Sequence, residues 1–316
     1  MMGYETTCGP RDRRIVPRRA DTAFGSIAHI AQTAGVPEES VTPALWAQQS
    51  GIFRRAGLDV DIRPQNSGSA IAAGVAGGSY AIGKSSLVSL IIAHSKGLPF
   101  VLIAGGGLYD AKNPNVGLLV KADSPMKNAA DLNGKMLGVS NLNDLYTLAA
   151  KAWLDSHGGD STSIKTLEFP IAAIPDAIAA NRIDAGGLID PELQSAVDSK
   201  KVRVFARMFD AVAPRFMYTG WFTTTDFLAK NRATVEAFSR AMRESTTYVN
   251  SHESETVDML SKFTSIEPSR IAKMHRISYS STLDPRLIQP SIDVCAKYKA
   301  IPASFDAKEL IAPGIR

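Results

Sequence analysis

The 316-residue chain has little cysteine: Cys8 and Cys295 are the only two. Two thiols cannot build a multi-disulfide framework, and neither stands in a C-x-x-C pair, so a disulfide scaffold and a dithiol redox motif are excluded. Cys8 lies in a polar N-terminal stretch. Cys295 falls in an apolar helix pattern and reads as a buried, inert thiol. Long hydrophobic runs are also missing. No stretch reaches the ~18 consecutive apolar residues of a membrane span. An excess of one charge is absent too, with Lys+Arg 35 against Asp+Glu 31 and a net +4. Residues 1–22 hold five arginines against Glu5, Asp12 and Asp21. The rest of the chain is then close to neutral and has no aromatic-plus-basic stripe, which argues against a nucleic-acid partner. The five histidines show no H-E-x-x-H spacing, so no metal site is expected. There is no G-x-S-x-G elbow and no paired-carboxylate motif.

What is present is ordinary globular composition, 45% apolar and 21% charged, over a length that suits two domains or one large one. Residues 1–22, with the basic stretch Arg11–Arg19, read as a tail or leader. The mildly apolar Thr22–Ala34 is interrupted by Ser26, His29 and Gln32 and is not a continuous signal-peptide core, which needs ~7–15 apolar residues.

From Leu58 onward short apolar runs alternate with amphipathic ones. Strands are expected at Leu58–Ile62, Ser79–Ile82, Phe100–Ala104, Val116–Val120, Lys135–Val139, Ile164–Phe169, Asp184–Ile189, Val202–Ala206 and Phe216–Thr223. Helices are expected at Pro43–Ala56, Ser69–Ala76, Ser86–Lys96, Asp144–His157, Ile174–Asn181 and Pro191–Ser199. Several of them stop at glycine, which supplies the left-handed residue that ends a helix. This alternation predicts an α/β fold with mainly parallel sheets. After Thr225 the pattern is helical, with one long helix over Asp226–Ser251, further helices at Glu253–Phe263, Pro268–Arg276 and Leu287–Lys299, and no strand. Turn-rich stretches at Asp110–Asn115 and Asp210–Arg215 mark two crossings between lobes. Lobe 1 is then 23–115 plus 211–316, lobe 2 is 116–210, and hinge strands lie near 105–116 and 208–222. A clamp of this kind closes on a ligand in its cleft.

Gly78-Ser-Tyr-Ala-Ile-Gly-Lys84-Ser85 fits the phosphate-loop pattern G-x-x-x-x-G-K-[ST]. In that motif the strand precedes the loop, whereas here Tyr80-Ala81-Ile82 read as the strand itself. Nucleotide binding therefore stands as an alternative of low rank. Small polar residues recur instead at the carboxyl ends of strands: Thr42, Asn66, Ser67, Ser85, Ser86, Asn141, Asn143, Asp144 and Asp190. Ligands bind there in open α/β sheets, because helix N-termini present free N–H donors. The ordinary alternative for each is a helix N-cap. Tyr109, after three glycines at the first crossing, and Trp221, on the returning strand, are candidates to touch an organic ligand. Their ordinary roles are a surface tyrosine and a core aromatic. Lys84 is a candidate counter-charge for an anion or a solvated surface lysine.

Residues 51–60, G-I-F-R-R-A-G-L-D-V, with the helix before them and the strand they open, resemble the start of one family. It is the nitrate/sulfonate/taurine/thiamine-pyrimidine group of ABC-transporter substrate-binding proteins. Asn66-Ser-Gly-Ser-Ala, Ala76-Gly-Gly-Ser-Tyr-Ala-Ile-Gly, S-P-M-K-N-A-A-D-L-N-G-K over 124–135 and Ile183-Asp184-Ala185 match further family segments in order, over roughly residues 40–315. The resemblance implies a two-lobed type II periplasmic-binding fold with its helical C-terminal region on the first lobe. It implies an extracytoplasmic, periplasmic and monomeric protein that captures a small organic solute, such as a sulfonate, carboxylate or aromatic acid, and delivers it to a membrane permease. It implies binding without chemistry, hence no catalytic residue, no cofactor and no enzyme activity. The ligand residues it implies are Thr42, Asn66, Ser67, Ser85 and Ser86 from lobe 1, Asn141, Asn143, Asp144 and Asp190 from lobe 2, and Tyr109 and Trp221 near the hinge. An enzyme on the same scaffold, like the thiamine-pyrimidine synthase, carries a cysteine-rich signature that this chain lacks. Two departures stand out: no evident signal peptide, and a loop at Gln32–Val41 that is longer and more acidic than the family pattern. With no arginine in the candidate loops, acids and neutral ligands both remain open.

Overall fold

The computed structural model describes residues 28–65 and 67–315. The expected tail at 1–22 lies outside them. Thirteen strands are described: β1 Ala28–Gly35, β2 Leu58–Pro64, β3 Ile82–Ser86, β4 Phe100–Gly105, β5 Gly107–Asp110, β6 Val116–Lys121, β7 Met136–Val139, β8 Lys165–Glu168, β9 Ala185–Ile189, β10 Val202–Ala206, β11 Arg215–Met217, β12 Thr219–Thr224 and β13 Ser278–Tyr279. The α-helices are α1 Thr42–Gln49, α2 Ile52–Arg55, α3 Gly68–Ala76, α4 Leu87–Ser95, α5 Leu145–Ser156, α6 Ile174–Ala179, α7 Glu192–Asp198, α8 Thr225–Lys230, α9 Arg232–Val249, α10 Val257–Thr264, α11 Pro268–Ile271 and α12 Pro285–Lys297.

Two five-stranded sheets carry the fold, in the orders β2-β1-β3-β12-β4 and β10-β6-β9-β7-β8. Each is flanked by helices, and a small sheet β11-β5-β13 stands apart. The sheets are more mixed than the alternation implied. In the first, β1 runs parallel to β2 and β3, whereas β12 runs antiparallel to β3 and β4. In the second, β7 is parallel to β8 and β9, whereas β6 is antiparallel to β9 and β10. In each sheet one strand enters from a crossing, so it meets its neighbours in the opposite sense. All strands of the second sheet lie between residues 116 and 206.

Several elements differ from expectation for local reasons. The expected helix 43–56 is two helices, because Gly51 adopts φ 77°, a left-handed conformation that stops the first. The expected helix 226–251 is broken at Asn231 into α8 and α9. The third strand begins at Ile82 rather than Ser79. Two strands fall outside the expected set. β1 occupies a central place in the first sheet, its register shifting between Ile30 and Thr33, where Gln32 has φ 73°. β13 pairs with β5 inside the region expected to be all helical.

The core follows from the alternation. Every residue of β4 is buried, and the apolar face of α9 (Val235, Phe238, Ala241, Met242) is buried with it. Fully burying side chains of this size stabilises by about 1.5–3 kcal/mol each. One apolar cluster extends from the first sheet into α5 and the Met208–Ala211 turn of the second half, through Leu148, Ala149, Met208 and Phe209. This packing joins the first sheet to α5 and to the turn that precedes β11.

Candidate functional site

The parallel strands of the first sheet end at Gly35, Pro64 and Ser86, and those of the second at Val139, Glu168 and Ile189. The loops that follow carry most of the candidate residues. After β1 the chain makes Val36-Pro-Glu-Glu-Ser-Val41. Glu38 and Ser40 both contact the Lys84 ammonium, and Ser40 Oγ donates to Glu38 Oε1 at 2.7 Å. Lys84 lies in β3 with its side chain 1% exposed, while that of Glu38 is 48% exposed. Burial pushes the Lys84 ammonium down to about 7. Gly83-Lys84-Ser85 is therefore strand, not phosphate loop, and Lys84 is neither solvated nor free to receive an anion.

Glu39 is buried at 7% exposure. Its Oε1 accepts from Arg276 Nε at 2.5 Å and from the Ile277 amide at 3.2 Å. Its backbone oxygen accepts from Tyr279 Oη at 3.0 Å and Thr42 Oγ1 at 2.6 Å. Arg276 reaches on to the Glu253 carbonyl at 3.1 Å and Thr256 Oγ1 at 2.9 Å. Burial drives the Glu39 carboxyl up to about 7, against the pull of the Arg276 charge.

The other half of the site comes from the second sheet. Asp144 caps α5, accepting from the Thr147 amide at 2.8 Å, and also takes the Ser140 hydroxyl at 2.6 Å. Asn141 and Asn143 are exposed, joined by an Asn143 amide donated to Asn141 Oδ1 at 3.0 Å. Asp190 follows β9, is joined to Pro191 by a cis peptide bond, and is buried. It accepts from the Gln194 amide at 3.1 Å and contacts the amide and Nδ1 of His275 at 3.3 and 3.1 Å. Asp190 thus ties the second half to the C-terminal region. Arg270 to Ser195 Oγ at 2.5 Å and Tyr298 to Asp155 at 2.8 Å do the same.

The remaining sequence-derived candidates divide clearly. Ser67 and Ser86 cap α3 and α4, accepting from Ala70 and Ser89 amides at 3.2 Å each. Ser85 is buried, and its hydroxyl completes no hydrogen bond. Thr42 is buried at the start of α1. Asn66 lies outside the described residues. Tyr109 and Trp221 depart from the expectation of a ligand-facing ring. Tyr109 is fully buried between Phe209 and Phe216, and its hydroxyl donates to Asp210 at 2.5 Å. It braces the two crossings against each other. Trp221 is fully buried on β12, edge-on to Phe238 at 5.8 Å, so it is a core aromatic.

Residues that motif reasoning missed sit at the meeting of the two halves. Glu39, Tyr146 and Tyr279 are electrostatic neighbours of Tyr218, and the Asn115 side chain hydrogen-bonds toward its hydroxyl. Burial, then the Glu39 carboxylate, holds the Tyr218 and Tyr279 hydroxyls well above the usual phenol range. Glu39 Oε2 is buried and completes no hydrogen bond. Such an atom costs about 1–3 kcal/mol when left unmet. Only Glu39 carried a sequence signal, the acidic loop. Asn115 and Tyr218 were hidden in a turn and a strand. Among the described residues no group of three or more His, Cys, Asp or Glu is placed to hold a metal ion. No helix among them is long and apolar enough to cross a membrane. Elsewhere, a hollow of about 560 Å³ opens at the other end of the second sheet, beside Lys121, Asp123, Lys135 and Asp184.

A family model described as NMT1/THI5 like matches residues 38–256. The chain belongs to the NMT1/THI5-like family. Solved structures agree on the fold. The periplasmic aliphatic sulphonate binding protein SsuA from Escherichia coli superposes with a TM-score of 0.72 at 17% identity, covering 89% of this chain and 91% of that one. The periplasmic nitrate-binding protein NrtA from Synechocystis PCC 6803 superposes at 0.71 and 14% identity, covering 91% and 85%. The desulfurization enzyme DSZB superposes at 0.64 and 12% identity, covering 90% and 96%. At these identities the likeness establishes a two-lobed periplasmic-binding fold, and the scaffold is shared by binding proteins and an enzyme. No curated protein matches the chain by sequence.

Proposed function

We propose that this member of the NMT1/THI5-like family is the solute-binding component of an ABC importer. It holds a small organic solute between its two lobes and presents it to a membrane permease. The observation that carries the reading is the fold shared with SsuA and NrtA, with the buried, unmet Glu39 Oε2 in the loop after β1. Lobe 1 is 23–115 plus 211–316 and lobe 2 is 116–210, with hinges near 105–116 and 208–222. The confinement of the second sheet to 116–206 supports this division. Glu39, Ser85 and Tyr218 line the cleft from lobe 1, Tyr146 and the Asn141–Asp144 loop from lobe 2, and Asn115 at the crossing. The named functions of SsuA and NrtA support a periplasmic setting. Cys295 is buried in α12, and burial pushes its thiol up to about 12, which leaves it unreactive.

The test is a thermal-shift screen of the full chain against nitrate, alkanesulfonates, carboxylates, amines, amides and ATP with magnesium. A ligand at ~100 times its dissociation constant stabilises the native state by ~2.7 kcal/mol. A shift with one solute class supports the reading. A shift with ATP alone, or with no small solute, contradicts it.

A further inference from the structure

We propose that the segment from Arg270 to Ile277 is a clasp that holds the two lobes shut, and that it stays with lobe 1 when they part. This rests on the lobe division of the solute-binding reading and names the contact that closes the cleft. His275-Arg276-Ile277 runs between two buried carboxylates, Glu39 of lobe 1 and Asp190 of lobe 2. Asp190 divides its oxygens between the lobes. Its Oδ1 accepts from the Gln194 amide of lobe 2 at 3.1 Å, whereas Oδ2 accepts from the His275 amide at 3.3 Å and lies 3.1 Å from His275 Nδ1. An ionised carboxylate can only accept, so the ring carries a proton on Nδ1 there. Arg270 Nη2 donates to Ser195 Oγ at 2.5 Å, a second bond across the same junction.

The two sides of the clasp are unequal. On lobe 1 the segment is anchored deep, with the Arg276 and Glu39 side chains 8% and 6% exposed. Arg276 Nε and the Ile277 amide both donate to Glu39 Oε1, and the guanidinium also reaches the Glu253 carbonyl and Thr256 Oγ1. On lobe 2 the bonds stand at the edge of the solvent: the His275 side chain is 58% exposed, and the Arg270–Ser195 bond is exposed. Water can replace those partners, whereas separating the buried ion pair leaves each charge uncompensated. Parting therefore breaks His275–Asp190 and Arg270–Ser195 and leaves Arg276–Glu39 whole. Asp190 directly follows β9, so the clasp lies at the strand end where the candidate loops begin. The Tyr298–Asp155 bond joins the lobes elsewhere, at the far end of α5 from Asp144. By holding the shut form, the clasp tightens ligand binding without touching the ligand, because apparent affinity scales with the closed fraction.

The test uses the unliganded full chain as wild type, His275→Ala, His275→Asn, and His275→Ala combined with Ser195→Ala. It reads residue-resolved hydrogen exchange and the radius of gyration from small-angle X-ray scattering. Losing a hydrogen bond to a charged group moves an equilibrium by about tenfold or more. His275→Ala should speed exchange at the position 275 amide by about that factor, leave the Ile277 amide unchanged and enlarge the radius of gyration. Adding Ser195→Ala should increase both effects. His275→Asn keeps a side-chain N–H donor near the Nδ1 position and should restore the wild-type values. Equal acceleration at both amides means that the segment peels from lobe 1 and overturns the inference, as does a radius of gyration unchanged in the double variant. If the variants behave as wild type while a solute from the screen raises the melting temperature, the clasp falls and the solute-binding reading stands. If the clasp opens as expected and no solute acts, the solute-binding reading falls and the clasp stands.

Discussion

The Lys84–Glu38 pair is asymmetric, and its two halves should respond oppositely to removal. Lys84 is 1% exposed and Glu38 48%. Burial lowers the lysine from 10.5 to about 7, a displacement that at about 1.4 kcal/mol per pKa unit sets a ceiling of about 5 kcal/mol on the cost of keeping it charged. Lys84→Met keeps the length and apolar stem of the side chain and removes the buried charge. The orphaned Glu38 can turn to water. Replacing buried ionic groups by apolar ones of similar volume stabilises by about 1–4 kcal/mol in favourable cases, so a gain of about 1–3 kcal/mol is expected. Glu38→Gln leaves the lysine buried without its counter-charge and should lose about 3 kcal/mol.

The pH dependence gives a second signature. Between about 7 and 10.5 the unfolded chain binds more protons at this lysine than the native one. Its contribution to stability therefore rises as pH rises through that window. Lys84→Met should remove that slope. The assay is urea unfolding of both variants and wild type at several pH values from 7 to 10. If Lys84→Met destabilises as much as Glu38→Gln, or keeps the wild-type slope, the buried-charge reasoning is wrong.

Other predictions follow the same logic. Trp221→Ala should cost about 3–5 kcal/mol as a large-to-small core change, measured by unfolding, with solute affinity unchanged, because the ring is fully buried against Phe238 and its Nε1 has no partner. Gly106→Ala should cost about 1–3 kcal/mol, since its Cβ would lie 2.5 Å from the Thr219 carbonyl oxygen, and a melting temperature equal to wild type would refute the close approach. The Glu39 carboxyl, raised from 4.5 to about 7 among Arg276, Glu253, Tyr218 and Tyr279, binds more protons in the native state between those values. Its contribution is therefore largest at low pH and declines as pH rises to about 7, a trend that Glu39→Gln should abolish in stability measured from pH 4.5 to 7.5.

Much of this architecture is legible in the residue pattern, because strand runs such as Phe100–Ala104 and Val202–Ala206 are apolar and cleanly bounded. β1 is not legible, since His29 and Gln32 interrupt its apolar run and a bulge at Gln32 breaks its alternation. The start of β3 slips by three residues because Tyr80 has strand propensity yet packs over Gly74, where a Cβ would lie 2.3 Å from its ring. The small polar residues at the strand ends are easily found, but Ser67, Ser86 and Asp144 turn out to be N-caps. Glu39, Asn115 and Tyr218, by contrast, lie far apart in the chain, yet both Glu39 and Asn115 act on the Tyr218 hydroxyl. Only tertiary packing brings them together, and no local motif announces it.

The central claim is that a solute lies between the lobes and touches both. Hydrogen exchange of the full chain, with and without the best solute from the screen at saturation, tests it directly. The account predicts added protection in Val36–Val41 of lobe 1 and in Ser140–Asp144 and Asp190–Gln194 of lobe 2 together. Protection in one lobe alone, or centred on the hollow beside Lys121 and Lys135, would contradict it.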